Sequence, residues 1–302
     1  MPDTPAVVVV TGANGLVGER TCHALVERGA QVRAVVRRAG TAPAADGVTE
    51  HVGDFADEGF AATVVDGATA VVTTVHPMGS DLQVQHEVAV VGTPVLARAA
   101  RDAGVDRFVH VSTAAVYDRS PGVGDVSDDS PLVGDDGGDY PVTKRDTDAA
   151  LAEVGGLTLV LVRPPAIVGA GPTSVWNTLR PARAAESDRD RSTSPEKSWS
   201  WVHVDDLAAF LADVATGAVA SSDDPDAGPV QGGTTAVVVA GEHATWRDYL
   251  GTVCEALGVE PRWTDEAEWT GRLVPARARS WGWAPTVDLP AALAEIRTGL
   301  QR

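Results

Sequence analysis

The chain opens with AVVVVT, residues 6 to 11, a continuous apolar and mostly β-branched run that passes at once into TGANGLVG, residues 11 to 18. No other stretch constrains the fold as tightly. A strand apolar at every position is buried on both faces, which belongs to a parallel sheet covered by helices on two sides. The amphipathic segment LVGERTCHALVERG follows directly, so the glycines fall in a strand-to-helix turn. There Gly12 permits the tight turn, Gly15 lets backbone approach a pyrophosphate, and Gly18 allows close helix packing, while the helix N-terminus attracts the anion. Three glycines in eight residues mean little alone. In this strand, turn and helix context they indicate a dinucleotide, with Gly12, Asn14, Gly15, Leu16 and Val17 as its candidate contacts.

The rhythm continues. QVRAVV (31 to 36), VTEHVGD (48 to 54), ATAVVTTV (68 to 75), DRFVHVST (106 to 113) and LTLVLV (157 to 162) read as strands, with a helix at about 140 to 154. This predicts an α/β fold, a doubly wound parallel sheet of the Rossmann kind. After Arg163 the pattern loosens, and residues 164 to 200 and 217 to 235 read as surface excursions. Helices are expected at HVDDLAAFLADVATG, with Asp205 as N-cap, at TWRDYLGTVCEALG and at PAALAEIRTGL. The expected division is a nucleotide-binding domain over 1–165, to which 200–240 adds, and a smaller, mainly substrate-binding lobe over 166–302. Seven of eight tryptophans lie from residue 199 onward, and most should form that lobe's core. Trp176 and Trp199 are placed by position to wall a substrate pocket instead.

A formal charge of −18 repels phosphate backbones and argues against nucleic-acid and anionic-membrane partners. The opening MPDTPAVVVV has no basic leader, and no apolar run approaches the roughly 18 residues of a membrane span, so a cytoplasmic protein is expected. Cys22 and Cys254 stand alone, without metal-ligand or disulfide spacing; both read as buried thiols, and no metal is expected.

The end of the second strand chooses the dinucleotide. An acid there would accept from a ribose 2′-hydroxyl, but the sequence reads AVVRR, and the guanidinium groups of Arg37 and Arg38 suit a 2′-phosphate. NADP(H) is therefore expected over NAD(H). Asp54, just after the third strand, can accept from the adenine amine or cap a loop.

Of 24 basic residues only Lys144 and Lys197 are lysines. Lys144 ends YPVTK, one helical turn after Tyr140, with Asp139 as the expected N-cap and Pro141 in the first turn. An ammonium about 4 Å from a phenolate, at an effective dielectric near 20, stabilises it by about 4 kcal/mol, or roughly three pKa units. A compact ammonium can also hold sugar hydroxyls, which a broad guanidinium fits less well. VSTAAVYD, residues 111 to 118, ends the fifth strand at the sheet's carboxyl edge, and there Ser112 or Thr113 can hydrogen-bond a carbonyl oxygen beside Tyr140.

Together TGANGLVG, GDF (53 to 55), VSTAAVYD, YPVTK, RPPAIVGAGP (163 to 172), WVHVDDLA (201 to 208) and WGWAP (281 to 285) make the chain resemble the extended short-chain dehydrogenase/reductase family over nearly its whole length. The resemblance implies Tyr140 as proton donor or acceptor, Lys144 on the nicotinamide ribose, and Thr113 polarising the substrate oxygen. It further implies Asp54, Phe55, Thr74 and Val75 along the cofactor, Pro164 near the carboxamide, and a homodimer through helices near 80–103 and 140–154. Two departures stand out. Ala89 replaces the Asn of a common Asn-Val-x-Gly-Thr motif, and His76-Pro77 follows the fourth strand where small residues are usual, which makes His76 a candidate substrate contact. His203 is read as structural.

The expected activity is an NADPH-dependent carbonyl reductase or alcohol dehydrogenase acting on a small molecule. The rival enzymatic reading is a nucleotide-sugar epimerase or dehydratase that recycles its cofactor. A non-catalytic dinucleotide-sensing regulator is the third, weakened because such relatives often lack the tyrosine or lysine present here.

Overall fold

The computed structural model describes residues 5–77 and 79–301. The first half runs β1 (Val7–Thr11), α1 (Leu16–Glu27), β2 (Gln31–Val36), β3 (Val48–Val52), α2 (Glu58–Val65) and β4 (Ala70–Thr73). A short helix α3 (Leu82–Gln85) then continues through a π-helical stretch, His86–Gly92, into α4 (Thr93–Asp102). β5 (Arg107–Val111), a 3₁₀ turn at Ala114–Val116, α5 (Asp139–Ala152) and β6 (Thr158–Arg163) follow. The remainder comprises β7 (Ala166–Val168), a π-helical turn at Val175–Leu179 leading into α6 (Arg180–Glu186), β8 (Ser192–Thr193) and β9 (Trp201–His203). After these come α7 (Val204–Thr216), β10 (Thr234–Val238), α8 (Trp246–Leu257), β11 (Arg262–Trp263), α9 (Ala276–Ser280) and α10 (Leu289–Leu300).

Seven strands form one parallel sheet in the order β10-β6-β5-β4-β1-β2-β3. The winding reverses between β1 and β4, and the crevice outside the carboxyl ends of two such strands is where open α/β sheets take ligands. Val8 and Val10 of β1 face a core shared with Cys22 and Leu25 of α1 and with Leu207 and Leu211 of α7. Val9 faces the opposite core with Val64 of α2, Leu96 of α4 and Leu151 of α5. Two covered faces explain why these strands read as unbroken apolar runs.

The sequence reading differs from the structure in four places. Residues 164–200 read as an excursion, yet they carry β7, α6 and β8 and bury Val168, Ala184 and Trp199. Residues 217–235 read as an excursion, yet Thr234 begins β10, which pairs with β6 and completes the sheet edge. Asp139 is not the N-cap of α5: Gly138, at φ 87°, holds that place in a backbone conformation that favours glycine. Asp205 is not the N-cap of α7 either, since His203 caps it by accepting the Asp205 amide at 3.3 Å through Nδ1. Its neighbour Asp206 is buried instead, accepting from the Thr286 amide at 2.9 Å and the Val287 amide at 3.2 Å.

The later tryptophans are spread over several places: Trp269 is buried with Tyr117, Val126 and Leu273, and Trp263 is exposed. Trp199, Trp201 and Trp246 pack with Tyr249, and Trp176 packs against them, in a separate apolar cluster. Trp281 and Trp283 instead lie on Phe210, in the helical layer of the sheet. Both cysteines are buried free thiols, and burial pushes Cys22 up to about 12. Among the described residues no helix is long and apolar enough to cross a membrane, and no cluster of three His, Cys, Asp or Glu could hold a metal.

Candidate active site

A cleft of about 1100 Å³ runs over the carboxyl edge of the sheet. One half is made of backbone. Gly12 has φ +69°, and a Cβ there would lie 2.7 Å from Thr74 Oγ1 and 3.0 Å from Val75 Cγ2. A Cβ on Gly18 would fall 2.1 Å from the Gly12 carbonyl oxygen, so α1 can approach the turn only with glycine there. Gly15 stands at the N-cap of α1 without a side-chain cap, which leaves the first amides of the helix for an anion. Thr74 Oγ1 donates to the Thr11 carbonyl at 2.9 Å, holding the ends of β4 and β1 together. This cradle fits a pyrophosphate.

Gly12, Asn14, Gly15, Leu16, Val17, Arg37, Arg38, Asp54, Phe55, Thr74 and Val75 all line the cleft. Arg37 and Arg38 are exposed at the end of β2. Glu50, on the adjacent strand β3, is already engaged: its carboxylate accepts from the Gly40, Thr41 and Ala42 amides at 2.9, 3.0 and 3.0 Å, bonds that hold its pKa below the usual carboxylate value. Asp54 caps a local turn through the Ala56 amide at 2.9 Å, and Phe55 is mostly taken up by the core. Pro164 departs from expectation. It is buried, with its carbonyl accepting from the Ala114 amide at 2.9 Å, and Pro165 lines the cleft in its place.

Tyr140 and Thr113 line the middle of the cleft. The ring of His76 meets Tyr140 edge-on, 5.0 Å between centroids, and both of its ring nitrogens are buried without a partner among the described residues. Burial, with Lys144 nearby, lowers His76 to about 4, so it is neutral at physiological pH. Lys144 is one turn further along α5, buried behind the cleft wall, where Nζ donates to the Val111 carbonyl at 2.8 Å. Burial lowers it to about 8, against an opposing pull from Asp148.

The expected three-unit lowering of the phenol by Lys144 is absent. Burial dominates and raises Tyr140 above its ordinary value, and the opposing influences are the Thr113 hydroxyl and the Arg119 guanidinium. The amine is turned to the backbone of β5, which accounts for its small part.

Ser112 and Thr113 point in different directions, Thr113 lining the cleft. Ser112 is buried, and its hydroxyl donates to Asp148 at 2.9 Å. Asp148 also accepts from Arg163 Nε at 3.1 Å, Arg163 reaches the Tyr117 hydroxyl at 3.0 Å, and Tyr117 donates to the Asp128 carbonyl at 2.8 Å. His110 adds to the same interior through Thr73, with 2.7 Å between its Nδ1 and the hydroxyl. Sequence reasoning missed this buried chain and missed Arg119. For Asp148 a signal existed, since it falls four residues after Lys144 on the same helix face.

The far half of the cleft is aromatic: Trp176, Trp199, Trp246 and Trp269 line it. Trp199 stacks on Tyr249 at 4.5 Å and on Trp201 at 6.2 Å, and it is only 2% exposed, so it presents an edge rather than a face.

Fold and cleft define a doubly wound α/β protein with a dinucleotide-shaped crevice. The chain belongs to the NAD dependent epimerase/dehydratase family, whose model matches residues 8–224. It is 35% identical over 168 residues to Sterol demethylase protein B of Methylococcus capsulatus, covering 53% of this chain and 51% of that one. It is 32% identical over 175 residues to a 4-hydroxy-2-methyl-3-oxo-4-farnesyl-3,4-dihydroquinoline-1-oxide ketoreductase of Stigmatella aurantiaca, covering 55% and 51%. The matches span about half the length of these curated relatives. The fold is shared along the whole chain with the Bordetella bronchiseptica enzyme WbmH, solved with NAD+, at TM-score 0.78, 22% identity and 99% coverage of both.

Proposed function

We propose that the chain is an NADP(H)-dependent carbonyl reductase, or the corresponding alcohol dehydrogenase, acting on a small molecule, with Tyr140 as its proton donor and acceptor. One observation carries this reading: the Tyr140 phenol and Thr113 hydroxyl share the cleft wall at the switch point, with the Lys144 ammonium buried behind them. The first turn of α1 and the glycines before it would hold the pyrophosphate, and Arg37 and Arg38 a 2′-phosphate. A nicotinamide dinucleotide bound there would supply or accept the hydride. Thr113 orients the substrate oxygen and stabilises its developing charge. Burial keeps Tyr140 protonated at neutral pH, the state that donates a proton during reduction. Lys144 would hold the nicotinamide ribose and keep positive charge near the phenol. The exposed Val91, within residues 80–103, supports a homodimer contact through that segment and α5.

Turnover of a carbonyl panel with NADPH and with NADH tests the proposal. Tyr140→Phe should reduce kcat by about 10²- to 10⁴-fold with dinucleotide binding retained. Reduction should be level below about pH 8 and fall above it as Lys144 loses its proton; Lys144→Arg should abolish that limb in whatever activity remains. Activity indifferent to Tyr140→Phe would remove the proposal.

A further inference from the structure

Among the described residues six charged side chains line the cleft: Arg37, Arg38, Asp54, Arg119, Lys197 and Glu268. The first three stand at the β2 and β3 end, beside the dinucleotide cradle. In the aromatic half, Lys197 and Glu268 neutralise each other at 2.9 Å. That leaves Arg119.

Among the described residues its guanidinium forms no ion pair and no hydrogen bond; its contact is the Trp269 ring, 5.6 Å to the centroid. Arg180, the other half-buried guanidinium near the tryptophans, lies 5.0 Å over Trp176 and 4.6 Å over Trp246, between two rings that meet its charge. The remaining buried guanidinium groups, Arg163 and Arg277, are each paired with carboxylate. In a chain with 42 acidic residues, a half-buried arginine that faces a cleft without one is poised for an anion from outside. Burial already pulls its pKa down, and a negatively charged Tyr140 is the group that would raise it, which places the two side chains within electrostatic reach of each other.

Resting on the reductase reading of the same site, we infer that the substrate is a carbonyl compound bearing a carboxylate, which Arg119 binds while the oxo group meets Tyr140 and Thr113 and an apolar or aryl remainder lies among Trp176, Trp246 and Trp269. A single uncompensated guanidinium matches one negative charge. A diphosphate, with at least two charges, would find no second free cation in this half of the cleft among the described residues. The planar fork of arginine pairs a carboxylate bidentately, and the indoles supply apolar area for the rest.

The test compares substrates that differ only in that charge: 2-oxo-4-phenylbutanoate and 4-oxo-4-phenylbutanoate against their methyl esters, with NADPH. For the wild type, kcat/KM should favour at least one acid over its ester by about tenfold or more, and Arg119→Gln should lower that ratio about tenfold or more, with Arg119→Lys recovering part of it. A second measurement needs no turnover. Calorimetric titration of the wild-type chain with 3-phenylpropanoate and with 3-phenylpropanamide should show the acid binding at least about tenfold tighter, a difference that Arg119→Gln abolishes. Acids bound and discriminated through Arg119 with no carbonyl turned over would support the subsite and count against the reductase reading. Equal losses for acid and ester would overturn the subsite, since Arg119 would then act on Tyr140 alone. Wild-type binding indifferent to the charge of the phenylpropanoid would overturn it as well.

Discussion

The two halves of the cleft are built from different materials. On the dinucleotide side the shape is set by main chain: a positive-φ glycine, an uncapped helix start, and a contact in which a Gly18 Cβ would overlap the Gly12 carbonyl at 2.1 Å. On the substrate side the walls are side chains from separate segments, Arg119 before α5, Trp176 in a π-helical turn, Trp246 at the start of α8 and Trp269 beyond β11. Main-chain recognition demands particular residues at fixed short spacings, whereas side-chain recognition lets each segment vary by itself. The first half is therefore general and the second particular, and Tyr140, the proposed proton donor and acceptor, stands where they meet.

This contrast can be broken at its strongest point. Gly18→Ala pushes a Cβ into backbone that no rotamer change can move aside, so α1 must shift away from β1. The expected cost is about 1–3 kcal/mol of stability, with at least about a tenfold loss of dinucleotide affinity, read by thermal melting and by fluorescence titration with NADPH. An unchanged affinity would mean that the turn is merely structural. A smaller effect should follow on the one side-chain feature of that half. Removing both guanidinium groups with Arg37→Gln and Arg38→Gln should raise the KM for NADPH by about tenfold or more while leaving that for NADH nearly unchanged, because only a 2′-phosphate distinguishes the two. Equal effects on both dinucleotides would withdraw the NADP(H) preference.

How far the sequence could be read follows the same division. β1, β4 and β6 were visible as largely apolar runs because both faces of the sheet are covered, and the glycine turn was visible because its spacing is dictated by contacts within eight residues. The Tyr140 and Lys144 pair was visible through helical periodicity. β10 was hidden because its apolar run follows a Gly-, Ser- and Asp-rich segment, and only pairing with β6 makes it a strand. The caps of α5 and α7 were misassigned by one and two residues, since an Asp near a helix start is a cap only if its backbone is still outside the helix. Arg119 carried no signal at all. Its isolation from carboxylates is a property of the folded cleft, and 22 arginines in the chain give no sequence reason to single it out.

The smallest expected effect sharpens the contrast at the boundary between the halves. Ser112 and Thr113 are adjacent hydroxyls at the end of β5; the residues by themselves left both open, and the family resemblance implied Thr113. Ser112 points into the buried chain through its 2.9 Å bond to Asp148, which Arg163 also holds, whereas Thr113 lines the cleft. Ser112→Ala removes one of several partners of a buried carboxylate, so it should lower stability by about 1–3 kcal/mol yet change kcat/KM less than about threefold. Thr113→Val removes the hydroxyl proposed to meet the reacting oxygen, which also accepts from the Ala115 amide at 3.1 Å, so it should lower kcat/KM about tenfold or more at a stability cost of about 0.5–2 kcal/mol. Both variants are read by a melting curve and a rate; each loses a structural hydrogen bond, and the prediction is that only Thr113→Val loses the rate. A Ser112→Ala enzyme with full stability and lost activity would move the substrate's oxygen partner one residue back along β5 and turn the arrangement of the site around it.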